Sequence, residues 1–431
     1  MGRLFVGPTQ WAVADQPTLR TGAFFIQIAS TNFRAMFFPG NAFSLESAVF
    51  WTIRSRGERD RPVDNADLER GVNTLPVLDA DLRAIGDTDF YNDWLLRQND
   101  DDYWGVVDGI KRAQTIQAPV LLLAGWFDPF LPSQLDDYTT IKKHADPAVA
   151  RETRLIIGPW AHAISRGMPG STAENPYRVA SIEPALSWFD HHLGVSRDSL
   201  DMPPVRLFVM GINQWRDENE WPLQRTRYKR FHMHSFGDAH HMFGSGRLDT
   251  IPPHTPEQPD MYTYDPLNPT PTAGGAMLGP RAGVKRQNEI EERSDVLIYT
   301  SDRLEKAIEI TGPIKAVLYV STDAPHTDFT AKLVDVYPDS SAYNLSDGIL
   351  RRAYVDRNSP VQIEVVLWPT SHVFLPGHRM RVEISSSNFP RYDRNFNTGN
   401  LSPRATQTQK ASQRVYHSKQ YPSYVLLPVI P

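Results

Sequence analysis

At 431 residues the chain is long enough for two or three domains with sizeable cores. Its 45 basic and 50 acidic residues nearly balance, which excludes the basic footprint of a nucleic-acid binder, and the lack of cysteine excludes disulfides, thiol nucleophiles and thiolate metal sites. No apolar run approaches the roughly 18 residues that span a bilayer and no basic-then-apolar leader is visible; the lack of cysteine sits most comfortably with a cytoplasmic protein, and no membrane partner is expected.

The first residues, Met1-Gly2-Arg3-Leu4-Phe5-Val6-Gly7, set Gly2 two places before Leu4 and Gly7 three places after it, close to the Gly-x-Ser-x-Gly of a nucleophile elbow, in which a strand meets a helix so tightly that the central side chain is thrust out above a sheet. Leu4 occupies that centre, and a leucine neither attacks a carbonyl nor is activated by a base. Residues 1 to about 200 then alternate apolar runs with helical patterns, the signature of βαβ units. Ala23–Ala29, Val120–Ala124 and Arg154–Ile157 read as strands covered on both faces. Between the last two, Ser133 is expected to cap a helix with Asp136 at its third position, and Leu135, Tyr138 and Ile141 share one face of it. From Phe43 to about Trp104 the pattern is helical and charged. The polar run Arg54 to Arg61 within it reads as a solvated helix face.

After Gly194 the texture changes to short alternating segments such as Val205–Met210, Lys315–Ser321, Ile363–Leu367 and Met380–Ile384, set between Pro, Gly, Asn and Asp clusters. This predicts an all-β sandwich of jelly-roll type, with residues 236 to about 292 as a long wrapping connection.

Two segments carry candidate chemistry. Gly125-Trp126-Phe127-Asp128 follows one predicted strand directly, and Gly158-Pro159-Trp160-Ala161-His162 follows the next. An Asp after a strand is by itself more often a turn former, and a His beside Trp more often a packed core residue. The order elbow, Asp, His after successive strands is the order of the α/β-hydrolase fold, where the Asp orients the imidazole and the His moves the nucleophile's proton. The cluster His232-Met233-His234 with His240 and His241 could be read as a metal site, but no clear carboxylate partner stands nearby. His191-His192 reads as helix surface and packing, and Asn344-Leu345-Ser346 as a chance match to a glycosylation sequon.

These motifs resemble the cocaine-esterase and Xaa-Pro dipeptidyl-peptidase group. The likeness runs from Thr9-Gln10-Trp11 behind the elbow, through Leu75–Leu82 and Phe90–Leu95 and the helix Trp188–Leu193, to Gly377-His378-Arg379 and Ser385-Ser386-Ser387-Asn388-Phe389-Pro390-Arg391-Tyr392-Asp393-Arg394-Asn395. The resemblance implies a partial α/β-hydrolase parallel sheet with a helical cap insertion, followed by a C-terminal jelly roll. The expected boundaries are 1–42 and 105–200 for the hydrolase domain, 43–104 for the cap and 201–431 for the jelly roll.

It also implies a serine hydrolase that cleaves acyl esters or N-terminal X-Pro dipeptide amides through an acyl-enzyme, without cofactor or metal. Asp128 and His162 are then the catalytic pair, Leu4 stands at the nucleophile position, and the Phe5 N–H is one donor of the oxyanion hole. A small ester or peptide is the expected partner, nucleic acid and membrane are not, and a homo-oligomer is left open. In the group, roughly 100 residues precede the elbow, so a start inside a longer gene is expected. Ala23–Ala29 would then edge a three-strand sheet prone to self-association. The competing reading is a non-catalytic protein whose jelly roll binds carbohydrate or a protein partner.

Overall fold

The apolar runs of the N-terminal half lie side by side as parallel strands, as their two-sided apolar character requires. This is seen in a computed structural model that describes residues 6–16, 22–56, 63–162, 177–195, 200–241 and 243–431. The chain divides into two compact units, residues 1–36 with 99–224, and residues 37–98 with 225–431. No helix of the described residues is long and apolar enough to cross a membrane.

The first unit holds a five-stranded sheet in the order β1 (Phe24–Gln27), β2 (Val120–Phe127), β3 (Arg154–Ala161), β4 (Val205–Val209) and β5 (Gln214–Glu218). The pairs from β1 to β4 are parallel, and β5 turns back antiparallel. Every residue of β2 is buried. The helix Leu131–His144 buries the expected Leu135, Tyr138 and Ile141. It begins before Ser133, which lies inside it rather than capping it; Pro132 sits in its first turn, where a missing N–H is harmless.

The strand Val205–Val209 corrects the sequence reading, for it pairs with β3 and not with the β-sandwich. Only Arg206 interrupts its burial, so it is a two-sided interior strand that one charged residue made look alternating. The sheet therefore has five strands where the sequence suggested three.

On the outer side of β1 the edge is met by a side chain. Gln10, in the helix Val6–Trp11, donates through Nε2 to Phe25 O at 2.8 Å and accepts from Phe25 N at 3.0 Å. The amide thus reproduces one residue of a neighbouring strand.

The second unit is built on an eleven-stranded sheet: β6 (Arg227–His234), β7 (Arg247–Asp249), β8 (Asp260–Tyr264), β9 (Leu297–Thr300), β10 (Ile308–Thr322), β11 (His326–Val336), β12 (Ala342–Ala353), β13 (Val361–Phe374), β14 (Arg379–Ser385), β15 (Ala411–Tyr416) and β16 (Tyr424–Val429). Its pairings are antiparallel apart from β7 with β9. Leu318, Phe329, Leu333, Val365, Phe374, Ile384 and Val425 form the core between its inner faces. The class is α/β followed by all-β. Asn344 is buried in β12, where its Oδ1 accepts from Lys285 N at 2.6 Å, so this sequon is closed to glycosylation in the folded chain.

The helices Leu45–Arg56, Asn65–Val72 and Asp89–Leu96 belong to this second unit. The long Ser385–Asn395 motif explains how. Asp393 accepts from Phe43 N at 3.0 Å and returns its own N–H to Phe43 O at 2.9 Å, while Glu46 N donates to Pro390 O at 3.0 Å. Half-buried Arg351 donates to both Asp328 and Asp393, and buried Arg391 pairs with Asp347. The motif is a clasp of paired, buried charges, which persist in a core only when their partners are in place.

Candidate active site

The site is assembled at the C-terminal ends of β2 and β3, where an open parallel sheet exposes loops to ligand. The last described residue of one loop, His162, puts Nδ1 2.7 Å from Oδ2 of Asp128, the residue that follows β2. Asp128 is fully buried, whereas the His162 side chain is 23% exposed. The other carboxylate oxygen, Oδ1, accepts from Phe130 N at 2.8 Å, and Leu131 N donates to the Asp128 carbonyl at 3.2 Å. Asp128 thus starts the helix Leu131–His144 with one oxygen and orients the imidazole with the other. A carboxylate only accepts, so Nδ1 carries the proton and Nε2 presents its lone pair. Nε2 makes no hydrogen bond among the described residues. Such a ring can take a proton from an attacking hydroxyl and pass it to a leaving group.

The glycines of the two motifs make room for one tryptophan. A Cβ on Gly125 would collide with the Trp160 carbonyl, and one on Gly158 with the Trp160 ring. Register slips here: Gly125 faces Gly158 but Phe127 faces Ala161, so β3 carries one extra residue. That bulge re-aims the end of β3 just before His162. Trp160 is fully buried with its ring 5.9 Å from Trp215, and Trp126 Nε1 donates to Phe208 O at 2.8 Å, tying β2 to β4.

Aromatic rings flank the pair, Phe130 at 5.9 Å from the His162 ring and Phe33 at 5.7 Å from Phe130. The loop carrying Phe33 is pinned by Asp137, which accepts from Thr31 N at 3.0 Å and from Thr31 Oγ1 at 2.5 Å. Burial pushes the Asp137 carboxyl up to about 7 against the lowering effect of those Thr31 hydrogen bonds. Neither Phe33 nor Asp137 was singled out in the sequence, since neither stands in a motif.

Leu4 and Phe5, the elbow positions, lie outside the described residues. The helix that follows them packs against β1 so closely that a Cβ on Gly7 would stand 2.5 Å from the Ala29 Cβ. This is the close helix-to-strand approach that an elbow glycine permits.

The histidines of the second unit are placed differently from the metal site considered in the sequence. His232 is buried on β6 with its ring 5.6 Å from Tyr424; His234 binds Glu257 at 3.0 Å and Ile251 O at 2.9 Å; the rings of His240 and His241 meet edge to face at 5.1 Å. His234 does have a carboxylate partner, Glu257, which the sequence reading missed because it lies across a loop.

Comparisons with known proteins match both halves of the chain. Residues 1–164 match the model of the X-Pro dipeptidyl-peptidase (S15 family), and residues 200–426 that of the X-Pro dipeptidyl-peptidase C-terminal non-catalytic domain. The cocaine esterase of Rhodococcus sp. (strain MB1 Bresler) is 35% identical over 472 residues, an alignment covering 100% of this chain and 80% of that protein. Among solved structures, an aminopeptidase from a marine sediment Thaumarchaeota archaeon has a TM-score of 0.81 at 22% identity, covering 98% of this chain and 74% of the other. An α-amino acid ester hydrolase likewise has a TM-score of 0.81 at 22% identity, covering 99% and 75%.

Proposed function

The chain belongs to the cocaine esterase and X-Pro dipeptidyl-peptidase family of serine hydrolases, and from that premise we propose that Asp128 and His162 are the acid and the base of an acyl-transfer site for small acyl esters or N-terminal X-Pro dipeptide amides. The 2.7 Å contact between His162 Nδ1 and Asp128 Oδ2 is the observation that carries this reading. In the reaction His162 Nε2 removes the proton of a hydroxyl as its oxygen bonds to the substrate carbonyl carbon. The same proton then goes to the departing alcohol or amine as the acyl bond breaks, and water repeats the sequence to release the acid. Asp128 holds the tautomer and offsets the imidazolium charge, and the Phe5 N–H is one donor to the oxyanion. No cofactor and no metal enter these steps.

Leu4 stands at the nucleophile position and has no oxygen to deprotonate. The chain as written therefore supplies the base and its orienting acid without the attacking group at that position. A fluorophosphonate probe read by mass spectrometry tests this. The unaltered chain should give no adduct and no burst of p-nitrophenol from p-nitrophenyl acetate. Leu4→Ser should be phosphonylated at position 4, and the adduct should vanish in Leu4→Ser/His162→Ala. A burst from the unaltered chain that His162→Ala abolishes, or an adduct indifferent to His162, would overturn the assignment.

A further inference from the structure

A second cluster in the first unit has no part in the Asp128–His162 pair. Glu152, His191 and His192 each offer one ligand atom, and these atoms lie within 4.8 Å of one another. Glu152 ends the helix Pro147–Glu152, and His191 and His192 end the helix Tyr177–His192. Two helix C-termini therefore meet there, and the partial negative charge at such ends favours a cation.

The His192 Nε2 atom is buried and has no hydrogen-bond partner among the described residues. Its ring is held in place by Trp188, 4.1 Å away, whose own Nε1 donates to Phe24 O at 3.0 Å. A buried polar atom fixed in position without a partner is destabilising unless something meets it. The ring of His191 stands 4.9 Å from that of His192 at 86°.

We propose that Glu152, His191 and His192 bind a divalent transition-metal ion, zinc by the chemistry of the donors, with water completing the coordination. Two imidazoles and one carboxylate suit zinc, whereas calcium and magnesium take oxygen donors. Tetrahedral zinc with bonds of about 2.0–2.1 Å needs donor atoms about 3.3 Å apart. The Glu152 side chain, 31% exposed, is free to swing in by that amount. Its present partners are long ion pairs, Arg151 at 3.4 Å and Arg154 at 3.8 Å. Arg154 already donates to Met202 O, Arg151 O and Thr153 O, so Glu152 would give up long ion pairs in moving to the metal. The bound ion clips the helix before β3 to the helix after it.

Titration calorimetry of the chelator-stripped full chain with zinc chloride, followed by thermal melts, tests the proposal. One zinc per chain with a micromolar or tighter Kd and a rise in Tm is expected, with no saturable response to magnesium or calcium. Glu152→Gln and His191→Asn should each weaken binding at least tenfold while the metal-free melt stays in place. His192→Ala should do the same, although its packing on Trp188 makes the first two variants the cleaner readouts. The control is His240→Ala/His241→Ala, the other adjacent histidine pair, which should leave binding unchanged. Absence of saturable zinc binding, or binding lost with His240 and His241 but kept in Glu152→Gln and His191→Asn, would overturn the site.

Discussion

His162 in the first unit and His417 in the second each meet a carboxylate at 2.7–2.8 Å, yet their surroundings differ at the second nitrogen. His162 spends one nitrogen on Asp128, and the other makes no hydrogen bond among the described residues, on a side chain that is 23% exposed. His417 is fully buried, with Nδ1 2.8 Å from Glu257 and Nε2 2.8 Å from Asp260. Asp260 is in turn saturated by Tyr299 Oη at 2.8 Å, Ser235 Oγ at 2.8 Å and Ala239 N at 2.9 Å. Between them stands Asp335, one carboxylate shared by His372 at 3.0 Å and His378 at 2.9 Å. A carboxylate beside an imidazole is therefore no mark of chemistry. Access to the second nitrogen separates them: His372 Nδ1 also lacks a partner among the described residues but is buried, whereas the His162 side chain is 23% exposed.

The contrast can be broken most forcefully at its closed end. His417→Leu leaves two carboxylates facing a buried void, and losing one member of such a group costs about 3–5 kcal/mol. His162→Leu removes a partly exposed ring but leaves one oxygen of buried Asp128 without that partner, so a smaller loss of about 1–3 kcal/mol is expected. Urea unfolding of the two variants checks this; equal losses would erase the distinction.

A smaller effect is expected where the open end is built. Gly125→Ala drives a methyl into the Trp160 carbonyl, an overpacking worth about 1–3 kcal/mol. It should also shift the bulge before His162 and abolish the downfield imidazole N–H proton in NMR spectra, which a mere stability loss would leave in the folded fraction.

Asp137 sharpens the comparison through pH. Its carboxyl is raised by burial to about 7 in the folded chain, above the usual 3.8, so the folded state holds a proton that the unfolded state releases. This contribution is complete below about pH 4 and is lost as pH rises toward 7. Asp137→Asn, which keeps an acceptor for Thr31, should flatten the fall in Tm between pH 4.5 and 7.5. Part of the fall should remain, because Glu46 and Glu383 are also raised to about 7, chiefly by burial.

Least of all should follow from Arg206→Ala. Its bidentate pair with Asp217 is well formed at 2.6 and 2.9 Å but exposed on both sides, so a change within about 0.5 kcal/mol is expected in the urea midpoint.

What the sequence made legible follows the same division. Asp128 and His162 could be placed because each directly follows an apolar run that burial on both faces demands. The three parallel strands were legible for the same reason. The partners of His417 were not, since Glu257 and Asp260 lie about 160 residues away and no local pattern marks a pairing across a β-domain. Val205–Val209 was misassigned because a single arginine imitates alternation, and only the neighbouring strand decides its sheet. The Ser385–Asn395 motif carried the most specific part of the family resemblance, and its residues turn out to fasten helices to strands through hydrogen bonds and ion pairs.

The amide of Gln10 on the edge of β1 has a consequence for the order in which the chain folds. Gln10 and Phe25 are separated by 15 residues, whereas Phe24 must find Val120 to form its first parallel pair. Closing the short loop loses less chain entropy, so the helix Val6–Trp11 and β1 can dock on each other before the sheet exists. The amide then holds the outer edge of the ribbon extended while β2, the neighbour on its other edge, is still distant. Gln10→Leu would accordingly slow the refolding limb of a chevron plot and leave the unfolding limb nearly unmoved, the signature of a contact made early.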